Sequence, residues 1–523
     1  MGQRKRIAII GAGMGGLSAA AILARHGDVT VFERAGRPGG KIRQVMAGGQ
    51  AIDSGPTVFT MDWALDRVFG DAGARLSDHV SLERQDILAR HYWADGLALD
   101  LHADEALSAK AIANVFGAED GKNYQAFCAK TKAVFETLKA PFLESEKPSF
   151  FGLMTQCSPL ALLGTAPFST LWSELSRTFR APHLRQLFGR YATYCGASPF
   201  QAPATLMLVA HVEQTGVWAV KGGMQAVPDA LERVARANGA CFEYGVHVSE
   251  IAITGGAVRG VRIGAESTPA CPGARGPVRP FDMVVMNGDV AALSSGEMGD
   301  EAASHIQRPR GAVRSQSAMT WSMLAEPSGA PLSYHTVLFS EDYPSEFESV
   351  FGASAVPGQP TVYACAPDRA GGRAPQGPER LFCLINAPPN GDTCAYSEEM
   401  IQQCRQTMID QASRCGVTLN PVPGTETVTT PETFARMFPS TGGGLYGMAS
   451  HGWQASFQRP GVKSGVSGLY LAGGSAHPGP GVPMAALSGR AAATALIRDY
   501  GLTVSASTGP SPLAAISGGI STR

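Results

Sequence analysis

RIAIIGAGMGGLSAAAILARHGDVTVFERAGRPGGKIR, residues 6–43, is the stretch that decides the fold. Ile7 to Ile10 form a short, Ile-rich apolar run, the pattern of a buried parallel strand. Gly11, Gly13 and Gly16 follow with G-x-G-x-x-G spacing. The first lets the chain turn tightly, the second lets a pyrophosphate reach bare backbone, and the third lets a helix pack on the strand. An Ala-rich helix then opens with free N–H groups and the positive end of its dipole toward phosphate. Gly27 is the predicted C′ stop of that helix. Val29 to Phe32 read as a second strand ending in Glu33, about 20 residues past the first glycine, where a carboxylate accepts ribose hydroxyls. A lone glycine fingerprint is weak in a chain with 62 glycines, but strand, turn, helix, strand and terminal acid together specify dinucleotide binding. Residues 7–24 carry no charge and follow a basic start, as in a signal peptide; four glycines within residues 11–16 spoil that reading.

The residues after Glu33 separate FAD from NAD. Glu33-Arg34, then Gly39-Gly40-Lys41-Ile42-Arg43, resemble the E-[RK]-x(4)-G-G-[KR] extension of glutathione-reductase-like flavoproteins. In that group the second glycine pair passes close to the flavin phosphates and ribityl chain. Asp53-Ser54-Gly55-Pro56-Thr57 resemble the strand and turn that approach the isoalloxazine ring. FAD is therefore preferred to NAD.

Composition narrows the field. A chain of 523 residues implies at least two domains. With 43 basic and 44 acidic residues the net charge is −1, which disfavours nucleic acid as a partner. Charged residues make up 17%, below the roughly 25% usual for soluble proteins, so much surface is buried or meets something apolar. Ten cysteines lie scattered without C-x-x-C spacing, as reduced thiols in a cytoplasmic compartment and not as a metal site or disulfide frame.

Further along, residues 63–71 have helical spacing, residues 80–100 alternate with a turn at 91–96, and residues 107–138 are amphipathic, with Lys130, Lys132 and Lys139 on a solvated face. Residues 150–172 (FFGLMTQCSPLALLGTAPFSTLW) carry no charge. Gly152, Pro159, Gly164 and Pro167 rule against an unbroken spanning helix. Two readings stand: buried core, or an exposed apolar lid that dips into one leaflet, with Arg177, Arg180 and Arg185 at headgroup level or simply solvated. Residues 227–238 read as an amphipathic helix, 241–263 as strands around Gly255-Gly256, 268–280 as loop, and 281–287 as a strand returning to the nucleotide sheet. Residues 315–324 read as a strand of the second domain, 353–378 as loop, 398–415 as helix and 505–523 as a disordered tail.

Near the C-terminus, Leu469 to Ala472 run as a strand into Gly473-Gly474, a rigid turn through His477 to Pro483-Met484, and a small-residue helix. Strand, turn and helix start aim further N–H groups at a second polar part of the cofactor. His477, flanked by Pro and Gly, is the candidate catalytic residue, against the plainer reading of a turn histidine.

These motifs, with KGGM at 221–224, VVMN at 284–287 and YLAGGSAHPGPGVP at 470–483, resemble the bacterial phytoene-desaturase-type carotenoid desaturases. Ala476 and Met484 depart from the T-H-P-G-x-G-x-P-G of phytoene desaturases proper, and the 1-hydroxy- or 1-methoxycarotenoid 3,4-desaturase branch is the nearer match. The resemblance implies an α/β fold: a Rossmann-type, glutathione-reductase-like FAD-binding domain (residues 1–75, 221–292 and 455–502) interleaved with an α+β substrate domain (76–220 and 293–454), and a tail over 503–523. It implies an FAD enzyme that desaturates an acyclic carotenoid, sits peripherally on the inner face of the membrane in contact with lipid, and passes electrons to oxygen or a quinone. The cofactor-contacting set it implies is Gly11, Gly13, Met14, Gly15, Gly16, Glu33, Arg34, Gly39, Gly40, Lys41, Ile42, Arg43, Gly55, Pro56, Thr57, Val248, Gly473, Gly474, Pro483 and Met484. No carboxylate is placed in the tunnel by the sequence. Phytoene desaturase, flavin-dependent carotenoid isomerase, an amine or sterol oxidase, and a non-enzymatic lipid carrier of the same fold remain as alternatives.

Overall fold

The computed structural model describes residues 4–264, 275–306 and 312–504. The expected tail at 505–523 and the first part of the expected loop at 268–280 lie outside these residues.

Ile7 to Ile10 are buried, flanked on both sides by parallel strands, as an apolar run without alternation requires. The sheet has five strands in the order Leu469–Leu471, Met283–Met286, Arg6–Ile10, Asp28–Glu33 and Cys241–Tyr244, all parallel. Helix Met14–Leu23 is buried at every position, because it packs between the sheet and two more helices, Ala226–Ala237 and Val482–Tyr500. Small side chains permit this. A Cβ on Gly489 would lie 1.9 Å from the Gly15 carbonyl oxygen, so the two helices touch backbone to side-chain-free backbone. Gly27 is not the left-handed stop expected of it. The helix closes at Ala24 with right-handed geometry, and Gly27 is instead required by crowding, since a Cβ there would meet the Lys5 carbonyl at 2.8 Å.

A second, seven-stranded sheet runs in the order Thr427–Thr429, Ser317–Ala325, Glu379–Ala387, Val362–Cys365, His335–Leu338, Ile87–Tyr92 and Ala98–His102. Its pairs are antiparallel except His335–Leu338 with Ile87–Tyr92. Val362–Cys365 lies inside the Gly/Pro-rich stretch read as loop; its residues are largely buried between two neighbours, and packing overrides the surrounding breakers. Arg275–Pro280 is likewise a strand, paired with Ala257–Gly264. Helices Glu105–Phe116 and Ala118–Leu138 occupy the expected amphipathic region, broken at Gly117 (φ +100°). Its lysines are not one solvated face: Lys130 pairs with Glu174, and Lys139 lies over the Trp63 ring at 4.6 Å, while Lys132 is exposed. Every cysteine among the described residues is free.

The uncharged stretch folds as two short helices, Phe150–Gln156 and Pro159–Gly164, started by Ser149 and Ser158 caps. They join the core only through Leu153, against which Leu162 also packs, while Leu171 at the end of the stretch is fully buried; the other large side chains are not. Phe151, Leu160, Phe168 and Leu163 are 79, 83, 69 and 66% exposed. Among the described residues no helix is long and apolar enough to cross a membrane.

Candidate active site

The carboxyl ends of the parallel strands open into one large cavity of about 910 Å³, at the upper end of the range for small-molecule sites. Gly11, Gly13, Met14 and Gly15 form its floor, and Glu33 and Arg34 stand at the end of the next strand. Glu33 accepts the Ala12 N–H at 2.6 Å and the Ala35 N–H at 2.8 Å, which fixes its carboxylate at the edge of the cavity. Gly39 donates to the Ala12 carbonyl, so the second glycine pair lies directly against the first loop. Only glycine fits there: φ is +130°, and a Cβ would lie 2.2 Å from the Ile42 carbonyl.

Two helices aim uncapped N-termini at the cavity, Met14–Leu23 from Gly13 and Val482–Tyr500 from Gly481; neither cap residue supplies a side-chain acceptor. Their free N–H groups suit the phosphates of a dinucleotide. Gly473 meets Gly15 across this floor, where a Cβ on Gly15 would lie 2.7 Å from the Gly473 nitrogen. Asn287, at the end of strand Met283–Met286, ties the floor together by donating to the Gly11 carbonyl at 3.0 Å. The residues present therefore fit FAD.

Of the twenty residues expected to contact cofactor, all but Gly16 and Arg43 line the cavity, Lys41, Ile42, Gly55, Pro56, Thr57, Val248, Gly474, Pro483 and Met484 included. Gly16 lies beneath the floor, where a Cβ would meet the Gly11 carbonyl at 2.1 Å. Arg43 turns away to Thr429 and the Phe434 ring, and burial pushes its guanidinium down to about 10. His477 is also off the cavity wall. Its ring nitrogen Nε2 donates to the Phe142 carbonyl at 2.8 Å, its backbone N–H donates to Pro460, and burial pushes it down to about 4. The plainer reading of a turn histidine describes it. Asn287, Asp289, Arg190 and Tyr343 line the cavity and were not singled out. Asn287 was legible from its place at the carboxyl end of a returning parallel strand; the others depend on tertiary packing.

Toward residues 150–168 the wall becomes apolar. The cavity runs past Leu138, Phe142, Leu206 and Val209 to the hairpin residues Phe150, Met154, Leu163 and Phe168, which also reach solvent. Two carboxylates unplaced by the sequence, Glu213 and Glu346, sit on this wall. Both are satisfied: Glu213 by the Tyr191 and Tyr194 hydroxyls, Glu346 by Thr361 and Asn386. Burial raises the Glu346 carboxyl above the usual range.

Three buried histidines and the half-buried His451 are held neutral. Burial, reinforced by Arg190, pushes His91 and His335 down to about 3, and burial pushes His451 and His477 down to about 4. An unfolded histidine takes a proton near pH 6.5. Below that pH the unfolded chain binds protons that the fold refuses, so stability falls as pH drops from 6.5 toward 4, by up to about 1.4 kcal/mol per histidine per pH unit. The raised carboxyls of Asp53 and Glu346 offset part of this by taking protons in the fold. The melting temperature is expected to fall between pH 7 and pH 5; a flat profile would show that the histidines are not buried neutral.

A glycine floor that fits a dinucleotide, opening into a large cavity, is the arrangement of a flavin-dependent oxidoreductase, and FAD is its cofactor. Residues 14–497 match the family described as flavin containing amine oxidoreductase, and the chain belongs to that family, within its bacterial carotenoid-desaturase branch. It is 46% identical to the hydroxyneurosporene desaturase of Rubrivivax gelatinosus, over 99% of this chain and 97% of that one. It is 39% identical to the hydroxyneurosporene desaturase of Cereibacter sphaeroides (94 and 98%), and 29% identical to the 1-hydroxycarotenoid 3,4-desaturase of a Flavobacterium (93 and 98%). Among solved structures an oxidoreductase from Methanosarcina mazei shares the fold at a TM-score of 0.61, with 16% identity over 94% of this chain and 100% of that one. Putrescine oxidase bound to putrescine does so at 0.59, with 15% identity over 95 and 99%.

Proposed function

We propose that this protein desaturates acyclic carotenoids bearing a 1-hydroxy or 1-methoxy group, forming the 3,4 double bond while resting on the inner face of the cell membrane. The observation that carries the reading is the single cavity that joins the glycine floor to an exposed apolar hairpin. A polyene is the kind of ligand that a large cavity with an apolar side open to solvent accepts, and the names of the full-length relatives agree. Residues 1–75, 221–292 and 455–502 are assigned to the FAD-binding domain and residues 76–220 and 293–454 to the substrate domain.

When bound, FAD supplies the acceptor for the hydride, which no amino-acid side chain can be. The protein's part is positional. The glycine floor and the two helix N-termini hold the dinucleotide, Glu33 stands ready for its ribose, and the apolar wall excludes water and lays the polyene along one path. The hairpin gives a hydrophobic substrate a route in from lipid. Arg177 and Arg180 are already paired with Glu174 and Glu119, and Arg185 donates to the Phe179 and Arg180 carbonyls, so the membrane contact rests on apolar side chains. Oxygen or a quinone takes the electrons onward.

Anaerobic mixing of the FAD-loaded protein with liposomes carrying hydroxyneurosporene tests the reading. Bleaching of the flavin with a red shift of the polyene is expected. A polyene change with the flavin still oxidised would mean isomerisation instead, and no change in either would remove hydroxyneurosporene as substrate.

A further inference from the structure

The buried part of the cavity, away from the hairpin, is not apolar. Arg190 lines it at 7% exposure. Its Nη1 donates to the Tyr194 hydroxyl at 2.5 Å, and its Nη2 lies 3.9 Å from the Glu213 carboxylate. Its Nε and Nη2 find no hydrogen-bond partner among the protein's atoms. Two more cavity residues share this condition: the Thr320 and Tyr343 hydroxyls are buried, at 2 and 4% exposure, and unpartnered within the protein. Buried polar groups left open on a cavity wall are the signature of a ligand that completes them. Contacts lead from this part of the wall to Thr57, in the turn expected to approach the flavin ring. Arg190 lies near enough to His335 to oppose its protonation, His335 meets the Tyr363 hydroxyl at 2.7 Å, and Tyr363 meets Thr57 at 2.7 Å.

The chemistry of the open groups defines what they take. A guanidinium only donates, so its complement is an oxygen with a free lone pair and no need of charge, because Glu213 already faces the cation. An alcohol or an ether oxygen on the end of an apolar chain meets this need. The Thr320 and Tyr343 hydroxyls both donate and accept, so they can also receive the proton of an alcohol. A hydrocarbon end would leave the donors desolvated and unpaired, which is how a site rejects the analogue that lacks the oxygen.

We propose that Arg190, Thr320 and Tyr343 form the specificity site for the oxygen at the end of the polyene, with Arg190 donating to it and thereby setting which C–C bond lies at the flavin. This rests on the desaturase reading above and adds the residues that choose the substrate. In an oxygenated end group O, C1, C2 and C3 are consecutive, so an oxygen held at the cluster fixes the 3,4 bond three bonds away. Depth in the tunnel is then set by a hydrogen bond and not by chain length.

The test compares hydroxyneurosporene with its hydrocarbon parent neurosporene, each in phosphatidylcholine vesicles with the FAD-loaded full chain. Binding is read from the polyene spectrum and desaturation from anaerobic single turnovers. The wild-type protein is expected to favour the hydroxylated polyene by about 100-fold, the scale of an unpaired buried donor. Arg190→Met and Thr320→Val are expected to keep their flavin and to bring that ratio below about 10. Should Arg190→Met fail to fold because Glu213 loses its partner, the near-isosteric Thr320→Val and Tyr343→Phe decide. Equal use of both polyenes by the wild type, or an unchanged ratio in flavin-loaded variants, overturns the assignment while leaving the desaturase reading in place. Preferential binding of the hydroxylated polyene without desaturation supports the site and rejects the reaction.

Discussion

Gly13→Val is expected to give a folded protein that holds no FAD and has lost at least about 100-fold in desaturation, since the hydride then has no acceptor. The position separates cofactor binding from folding. Gly13 has φ −77° and ψ 176°, an extended conformation that valine adopts freely. Its Cβ would approach only the Asn287 side-chain amide, at 3.0 Å, a contact relieved if that amide shifts by a few tenths of an ångström. The methyl groups then occupy the floor in front of the helix N-terminus, where a pyrophosphate would lie. Gly15→Val would be a poorer test, because its Cβ meets the Gly473 backbone and the fold itself would suffer. Flavin absorbance per chain, measured beside circular dichroism and melting, reads the outcome. Normal flavin content in folded Gly13→Val protein would reject this floor as the cofactor site.

Phe151→Ser with Leu160→Ser is expected to lower partition into neutral phosphatidylcholine vesicles by roughly 100-fold. Full burial of such a side chain is worth about 1.5–3 kcal/mol, so the pair contributes about 3 kcal/mol even at the low end. Both are largely exposed in the isolated chain, at 79 and 83%, so stability should change by less than about 0.5 kcal/mol. Because Arg177 and Arg180 have carboxylate partners, the wild-type contact should survive high salt. Flotation with vesicles measures both effects. An unchanged partition, or a contact abolished by salt, would move the membrane contact away from this hairpin.

The two sheets differed in how far they could be read from the sequence. In the nucleotide sheet four of the five strands are short apolar runs followed by their own punctuation: glycines after Ile10, Glu33 after Phe32, Asn287 after Met286, Gly473 after Ala472. Local pattern and tertiary position agree there. The seven-stranded sheet joins strands from residues 87–102 to strands from 317–429, and alternation announces a strand without naming its partner. Val362–Cys365 was hidden by the breakers on either side. In residues 150–172 composition left core and lid equally open, because an apolar residue looks the same in both; the structure divides the stretch, exposing Phe151 and Leu160 and burying Leu153 and Leu171. Arg190 lay in the FGRYATYC run with nothing to mark it, since a buried, unsatisfied guanidinium is a property of surroundings. His477 shows the converse: a residue type rich in chemical promise, committed by packing to the Phe142 carbonyl.

The meeting of Gly15 with Gly473 and Gly489 bears on how the holoenzyme is born. The two halves of the cofactor floor come from opposite ends of a 523-residue chain. A ribosome releases the first half long before it has made the second, and the helix Met14–Leu23 must wait with an unburied face until Val482–Tyr500 arrives. Flavin capture is thus among the last events of biogenesis. A cell short of FAD would accumulate finished but empty chains, not stalled ones, and chains that end before residue 473 would never hold the cofactor.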